Sequence, residues 1–439
     1  MRFALLTLVA LLASAGTARA EKVERPVLTL SGANFRPLPL AIAPMLYPDA
    51  AASREAGKAI DETLAQDLTV SGLFELLNRK SFLADEKEGV LTADIKFARW
   101  QDVGAEGLIK VVVAGGDPVT AELHLFNTVL GKEELKKRYS APAAQARRLA
   151  HQFADDVFTF YTHEPSVFGT QLAFVRKVSG SKQVFLADWD GRHARQLTKG
   201  TMNLLPSWTA GGRSIAFTSY RTGSPAIVVF DLATEGLDTI FKRVSTLVTG
   251  ASFSRDGKKV VFSMSQDDGN SHLWIADANG ENAKRLTDGF GINSSPSFSP
   301  DGKQIAYVSN RSGNPQIYVI SASGGEPKRI TFQGNYNQTP DWSPRGDLIA
   351  FTARDERNAF DIFTVDPATL KITRLTQDQG NNEEPSFSPN GRLIAFTSTR
   401  TGRSHLYVMS ADGNFQRQMS SGNDESYTPA WGPFPAAKP

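Results

Sequence analysis

The sequence predicts an α/β N-terminal domain followed by an all-β six-bladed β-propeller, with four antiparallel strands per blade and the ring closed by the C-terminal strand. Two markers predict it. The strand cores LAF, IAF, VVF, IAY, IAF and IAF end at Phe174, Phe217, Phe262, Tyr307, Phe351 and Phe396, stepping by 43, 45, 45, 44 and 45 residues. A second aromatic series, Trp208, Phe253, Phe298, Trp342, Phe387 and Trp431, steps by 45, 45, 44, 45 and 44. Two series keeping one period define a repeat, and four short strands in about 40–45 residues is the signature of a propeller blade.

The fullest copy is Ser294 to Thr331. Ser297-Phe298-Ser299 reads as the first short strand and Asp301-Gly302 as a tight primed turn. Ile305 to Ser309 and Gln316 to Ile320 are the next strands, near-continuously apolar as expected of a sheet covered on both faces. Gly324-Gly325 turns into the fourth strand, Lys328 to Thr331; Asp190-Gly191, Asn279-Gly280 and Asp412-Gly413 hold that turn elsewhere. The first copy lacks its aromatic-turn unit and the last stops at Trp431, so pairing residues 428–431 with the strand around Leu172 to Val175 completes six blades and leaves no exposed edge.

Upstream the repeat is absent. Residues 1–20 have the layout of a secretory signal: Met1-Arg2, the apolar run Phe3 to Ala13, and the small-x-small site Ala18-Arg19-Ala20. Residues 21–32 form a charged tail around one short apolar strand, Val27, Leu28, Thr29 and Leu30. Residues 33–163 read as α/β, with strands at Leu40 to Met45 and Leu108 to Val113. A half-exposed strand alternates Val119, Ala121, Leu123 and Leu125 with Thr120, Glu122 and His124. Helices span Ser53 to Leu68 and Ala143 to Phe160, placing Ile60, Leu64 and Leu68, then Leu149, Phe153 and Val157, on single faces. His163-Glu164-Pro165 reads as the linker to a propeller spanning 166–434.

Charge and composition exclude several functions. The chain has 48 basic and 46 acidic residues; removing Arg2 and Arg19 with the signal leaves 46 against 46, without the basic surplus of a nucleic-acid binder. The densest basic run, Lys132 to Arg138, reads as a solvated hairpin. With no cysteine there is no thiolate catalysis and no cysteine zinc site. No GxSxG, HExxH, P-loop or strand-to-helix GxGxxG occurs. His272 and His405 share one repeat position, three blades apart, where Gln183, Gln316 and Asp361 stand in other copies, so they read as structural polar residues. No catalytic residue, metal ligand or cofactor is expected; the acidic loops at Asn382-Glu383-Glu384 and Asp424-Glu425 leave open a weak Ca2+ at the channel mouth, though without EF-hand spacing.

The functional surface is expected where the loops leading into each innermost strand gather round the channel. The candidate partner-binding residues are Asn203, Leu205, Leu247, Thr249, Gly250, Asn293, Ser294, Ser295, Tyr336, Asn337, Gln338, Asn382, Glu383, Glu384, Ser426 and Tyr427. These loops are rich in residues that hydrogen-bond adaptably or offer rigid contact area. They vary while the blade bodies stay alike.

The stretch PSFSPDGKQIAYVSNRSGNPQIYVISASGGEPKRIT resembles the blades of the TolB family, periplasmic propeller proteins of the Tol-Pal cell-envelope system. SGLFELLNR at 71–79 and GAEGLIKVVVAGG after Trp100 are similar to the family's smaller domain. The resemblance implies a soluble, monomeric, non-enzymatic periplasmic scaffold. It would bind the lipoprotein Pal at the propeller mouth and TolA through the tail residues Val27, Leu28, Thr29 and Leu30, with colicins using the same mouth. It would serve outer-membrane integrity and envelope constriction during division. The family's Pal-binding positions match Leu247, Thr249 and Gly250 in one loop and Ser294 and Ser295 in the next; Ala251 departs from the proline of the sister loops. The alternatives are an exported propeller lyase or hydrolase acting on a glycan or peptide, which needs carboxylates with His or Arg lining the channel, and a carbohydrate binder, for which Tyr336 and Tyr427 are the only exposed aromatic candidates.

Overall fold

A computed structural model describes residues 36–48, 53–83, 85, 88–243, 246–265 and 269–435. The expected signal and the tail strand Val27–Leu30 lie outside the described residues. The α/β unit runs β1 (Leu38–Ile42), α1 (Arg54–Val70), β2 (Phe74–Leu76), α2 (Phe97–Asp102), β3 (Gly107–Ala114), β4 (Val119–Asn127), β5 (Lys132–Ala141) and α3 (Ala146–Thr162). Its sheet has the order β2-β1-β3-β4-β5, parallel at β2-β1-β3 and antiparallel from there. Side chains alternate along a strand, so Leu40, Ile109 and Val111 meet Leu64, Leu68, Phe153 and Val157 of the two long helices on one face. Ala41, Leu108 and Phe126 pack with Trp100 on the other.

The expected alternation of β4 holds at Thr120 and Glu122, which are half-buried between buried Val119, Ala121 and Leu123, and fails at His124. His124 is 2% exposed; its Nδ1 lies 2.6 Å from Glu133 Oε1 and its Nε2 2.9 Å from Glu122 Oε1. Strand pairing with β5 brings Glu133 across to it, a contact that periodicity within one strand does not encode. Beside it, Lys110 and Glu88 are a buried pair, Nζ to Oε2 at 2.9 Å. Glu88 also accepts from the Lys96 N–H and from Trp100 Nε1. Burial alone would raise its pKa, but these bonds and the Lys110 charge outweigh it and hold the carboxyl below its usual range.

The propeller has six four-stranded antiparallel sheets. Blade 1 joins β6 (Gln171–Val178), β7 (Ser181–Asp188) and β8 (Arg195–Gln196) to the C-terminal strand Ser426–Trp431, with Ala430 opposite Ala173 and Trp431 opposite Leu172. Closure is therefore as expected. The inner strands of blades 2–6 are Asn203–Trp208, Val248–Phe253, Asn293–Phe298, Asn337–Trp342 and Asn382–Phe387. These begin earlier than expected: the segments read as mouth loops form the upper halves of the inner strands. The Asp301-Gly302 turn also differs, since only Gly302 has positive φ, at 70°. A type I′ turn would need it at both and a type II′ turn at Asp301. Instead Ser299 Oγ accepts from the Gln304 N–H and donates to Asp301, closing a wider loop.

Neighbouring blades are stitched near the channel. The N–H groups of Phe298, Trp342, Phe387 and Trp431 donate to Ser252, Ser297, Asp341 and Ser386 of the preceding blade at 3.3, 3.0, 2.7 and 3.0 Å. At the outer rim, turns press on the previous blade: a Cβ on Gly280 (φ 87°) would sit 1.8 Å from the Ile240 carbonyl oxygen, so only glycine fits. The α/β unit occupies the end of the propeller away from the mouth, sharing a core with blades 1 and 6 through Phe158, Phe168, Trp189, Leu393 and Leu406. The linker is pinned rather than loose. His163 caps α3 at φ 57°, and Glu164 accepts from Arg392 Nη2 at 2.6 Å and Arg345 Nη2 at 3.2 Å.

Candidate partner-binding mouth of the propeller

Each inner strand carries the same irregularity. Its pairing slips between the second and fifth residues, as between Ser294 and Ser297 or Gln338 and Asp341. The third residue of each bulge has positive φ: Leu205 51°, Gly250 62°, Ser295 51°, Thr339 48°, Glu384 58° and Thr428 47°. Five of these precede proline, the sixth Ala251. A bulge turns backbone out of the ladder, and here the freed N–H groups cross to the preceding blade. Gly250, Glu384 and Thr428 donate to Thr218, Thr352 and Thr397 at 3.1, 3.0 and 3.2 Å. The six bulges ring a cavity of about 320 Å3 at the top of the channel.

The candidate residues divide into three groups. Asn203, Asn293, Asn337, Asn382 and Ser426 are 3%, 0%, 1%, 0% and 0% exposed, which removes them from any docking surface. They are structural: Asn203, Asn337 and Asn382 donate to Gln183, Gln316 and Asp361, which also accept from Thr198, Thr331 and Thr376. The third-strand polar position thus joins each of these blades to the next. The half-buried group is Thr249, Gly250, Ser294, Ser295, Tyr336, Gln338, Glu383, Glu384 and Tyr427. Within it Glu384 is already engaged, accepting from Thr397 Oγ1 and from the N–H and hydroxyl of Thr428. Tyr336 lies under the Arg354 guanidinium, and Lys182 lies 4.5 Å from the Tyr427 ring centre. Leu205 and Leu247 are exposed.

Sequence reading places Met202 and Ile292 in the mouth loops without singling them out and misses Phe290 and Phe332; the four are 37%, 51%, 83% and 62% exposed at the same end. Met202 and Ile292 belong to the column just before the buried first residue of each upper strand: Met202, Leu247, Ile292, Tyr336, Asn381 and Glu425. Apolar in blades 2–4, aromatic in blade 5 and polar in blades 6 and 1, it gives the rim one greasy arc and one wet one. An exposed apolar patch rimmed by polar residues marks an interaction surface.

Electrostatics divide the channel likewise. Asp341, half-buried at its floor, is pushed up to about 7 by desolvation, against bonds from the Phe387 N–H and the Ser297 hydroxyl. Burial, then the neighbouring Glu384 charge, raises Glu383. Among the described residues, Glu383, Glu384, Asp424 and Glu425 do not gather three ligand atoms around one point; the group that does lies at the other end of the molecule. His272 and His405 are buried in the third strands of blades 3 and 6, away from the channel.

A closed propeller with a rigid bulged ring, a one-sided apolar rim and an α/β unit clear of the mouth defines a propeller-type binding protein. Residues 158–435 match the TolB β-propeller domain and residues 26–134 the TolB amino-terminal domain. The Tol-Pal system protein TolB of Myxococcus xanthus strain DK1622 is 50% identical over 441 residues, all of both chains. That of Anaeromyxobacter sp. strain K is 44% identical over 433 residues, 98% of each. The crystal structure of TolB from Acinetobacter baumannii superposes with a TM-score of 0.78 at 27% identity, covering 91% of this chain and 97% of that one. The chain belongs to the TolB family of the Tol-Pal system. No helix among the described residues is long and apolar enough to cross a membrane.

Proposed function

We propose that this protein is a periplasmic scaffold without chemistry of its own, holding the lipoprotein Pal at the propeller mouth and TolA through the tail strand Val27–Leu30, in support of outer-membrane integrity and constriction at division. The observation that carries the reading is the asymmetric rim. Leu247 and Ile292 stand exposed on adjacent blades above the half-buried Thr249, Ser294 and Ser295. A partner's apolar anchor is desolvated there while the polar groups below take its hydrogen bonds, the arrangement of an interface hot spot. The backbone beneath is stitched across blades, so binding costs little ordering. The tail would add a strand to TolA's sheet.

The test is calorimetric titration of the periplasmic domain of the organism's own Pal into the full mature chain. Leu247→Asp with Ile292→Asp is expected to weaken binding at least about 100-fold at an unchanged thermal midpoint, because both side chains are exposed. Asn381→Ala on the wet arc should change it less than about threefold. Equal affinity for the wild type and the double variant overturns the assignment of the mouth.

A further inference from the structure

Away from the mouth, α1, α3 and blade 1 converge on a cluster with no part in the binding surface. Asp67 of α1 lies 2.6 Å, through Oδ2, from Nδ1 of His151 on α3. Asp188 ends β7 and Asp190 sits in the turn after it. A ring nitrogen of His151 and carboxylate oxygens of Asp188 and Asp190 all lie within 4.8 Å of one another. The His151 side chain is 9% exposed and that of Asp67 0%. We propose that His151, Asp188 and Asp190 form a divalent transition-metal site, of the kind zinc occupies, that clips the α/β unit to the propeller.

His151 Nε2 is buried without a hydrogen-bond partner. Buried polar atoms in folded proteins are almost always paired, and with Nδ1 held by Asp67, Nε2 is the nitrogen available to a cation. A metal-bound histidine typically presents its other ring nitrogen to a carboxylate, which sets the tautomer and raises the basicity of the ligating nitrogen; Asp67 stands in that place. One imidazole and two carboxylates suit zinc and its first-row neighbours better than calcium or magnesium, which prefer all-oxygen shells. Bonds of about 2.0–2.2 Å put the ligand atoms of a tetrahedral zinc site about 3.3 Å apart, a contraction of at most about 1.5 Å from the present limit of 4.8 Å. Asp190 is held by Arg147 Nη2 at 2.5 Å and by the Arg192 N–H at 3.1 Å, and Asp188 by His193 Nδ1 at 2.6 Å. These bonds orient both carboxylates, and Arg147 offsets part of their charge. The cluster borders a cavity of about 650 Å3, with room for water in the remaining coordination positions. The ligands come from both units, so bound metal would oppose their separation.

The test titrates Zn2+ alone into chelator-treated full mature chain, with bound metal counted after dialysis and Co2+ used for its visible spectrum. One equivalent per chain, a tetrahedral Co2+ spectrum and a higher thermal midpoint are expected. His151→Gln and Asp188→Asn should each lower affinity at least about 100-fold, and Asp67→Asn about 10- to 100-fold; His405→Gln should leave it unchanged. Asp188 is half-exposed at the end of β7, so its variant keeps the fold even if His151→Gln does not, with circular dichroism as the check. Absence of stoichiometric binding, or binding equally tight in Asp188→Asn, overturns the site.

Discussion

The α/β unit and the propeller solve the same problem differently: each must bury polar groups. The α/β unit does so at a few points, with ionisable pairs such as Lys110–Glu88 and Asp67–His151. The propeller does it repeatedly with neutral groups, as in Gln316–Thr331–Asn337, and sets carboxylates among them at points such as Asp361, Asp341 and the arginine-paired Asp355. A buried charge left without its partner is far more costly than a neutral group that loses one of several bonds. The smaller unit therefore concentrates its vulnerability in a few residues, whereas the larger distributes it around the ring.

The largest test of that contrast is Lys110→Met. It strands Glu88 in the core and should destabilise the chain by about 3–5 kcal/mol, read by urea unfolding followed by circular dichroism. Adding Glu88→Gln should restore a large part, because the orphaned charge is the source of the cost. Asn337→Ala in the propeller should cost less, about 1–3 kcal/mol, since Gln316 keeps the Thr331 hydroxyl. If the two single variants cost the same, the contrast fails.

The smallest effect is at Asp341, where the propeller breaks its own rule. Its carboxyl titrates near 7 in the fold against 3.8 ordinarily. The folded state thus holds the proton more tightly than the unfolded chain, and its contribution to stability is present below about pH 4 and lost as pH rises through about 7. Asp341→Asn keeps an acceptor for the Phe387 N–H. It should raise the thermal midpoint at about pH 8 and leave it near the wild type at about pH 4. A variant whose midpoint tracks the wild type across that range would show that channel water solvates the carboxylate fully.

Much of this molecule was legible in residues 166–434 because each blade repeats a local pattern: aromatic, turn, apolar strand, turn. Blade number and closure follow from spacing alone; register does not, because each inner strand slips at a bulge that no period marks. Even the structural role of the third-strand position, shared by Gln183, Gln316 and Asp361, was readable from the same column. The rim was less legible. Asn293 and Ser295 are two residues apart and equally polar, yet one is buried, donating to the Ser271 carbonyl of the preceding blade, and the other stands in a bulge.

What the sequence determined by itself was therefore periodic: the propeller, its six blades, the strand that closes it and the core faces of α1 and α3. Tertiary structure alone decided which polar residues are inside. His124 meets Glu133 only because β4 pairs with β5, Glu384 reaches Thr428 only because the ring closes, and His151 faces Asp188 only because the α/β unit docks on blade 1. Burial and charge pairing are properties of residues distant in the chain, and no local period records them.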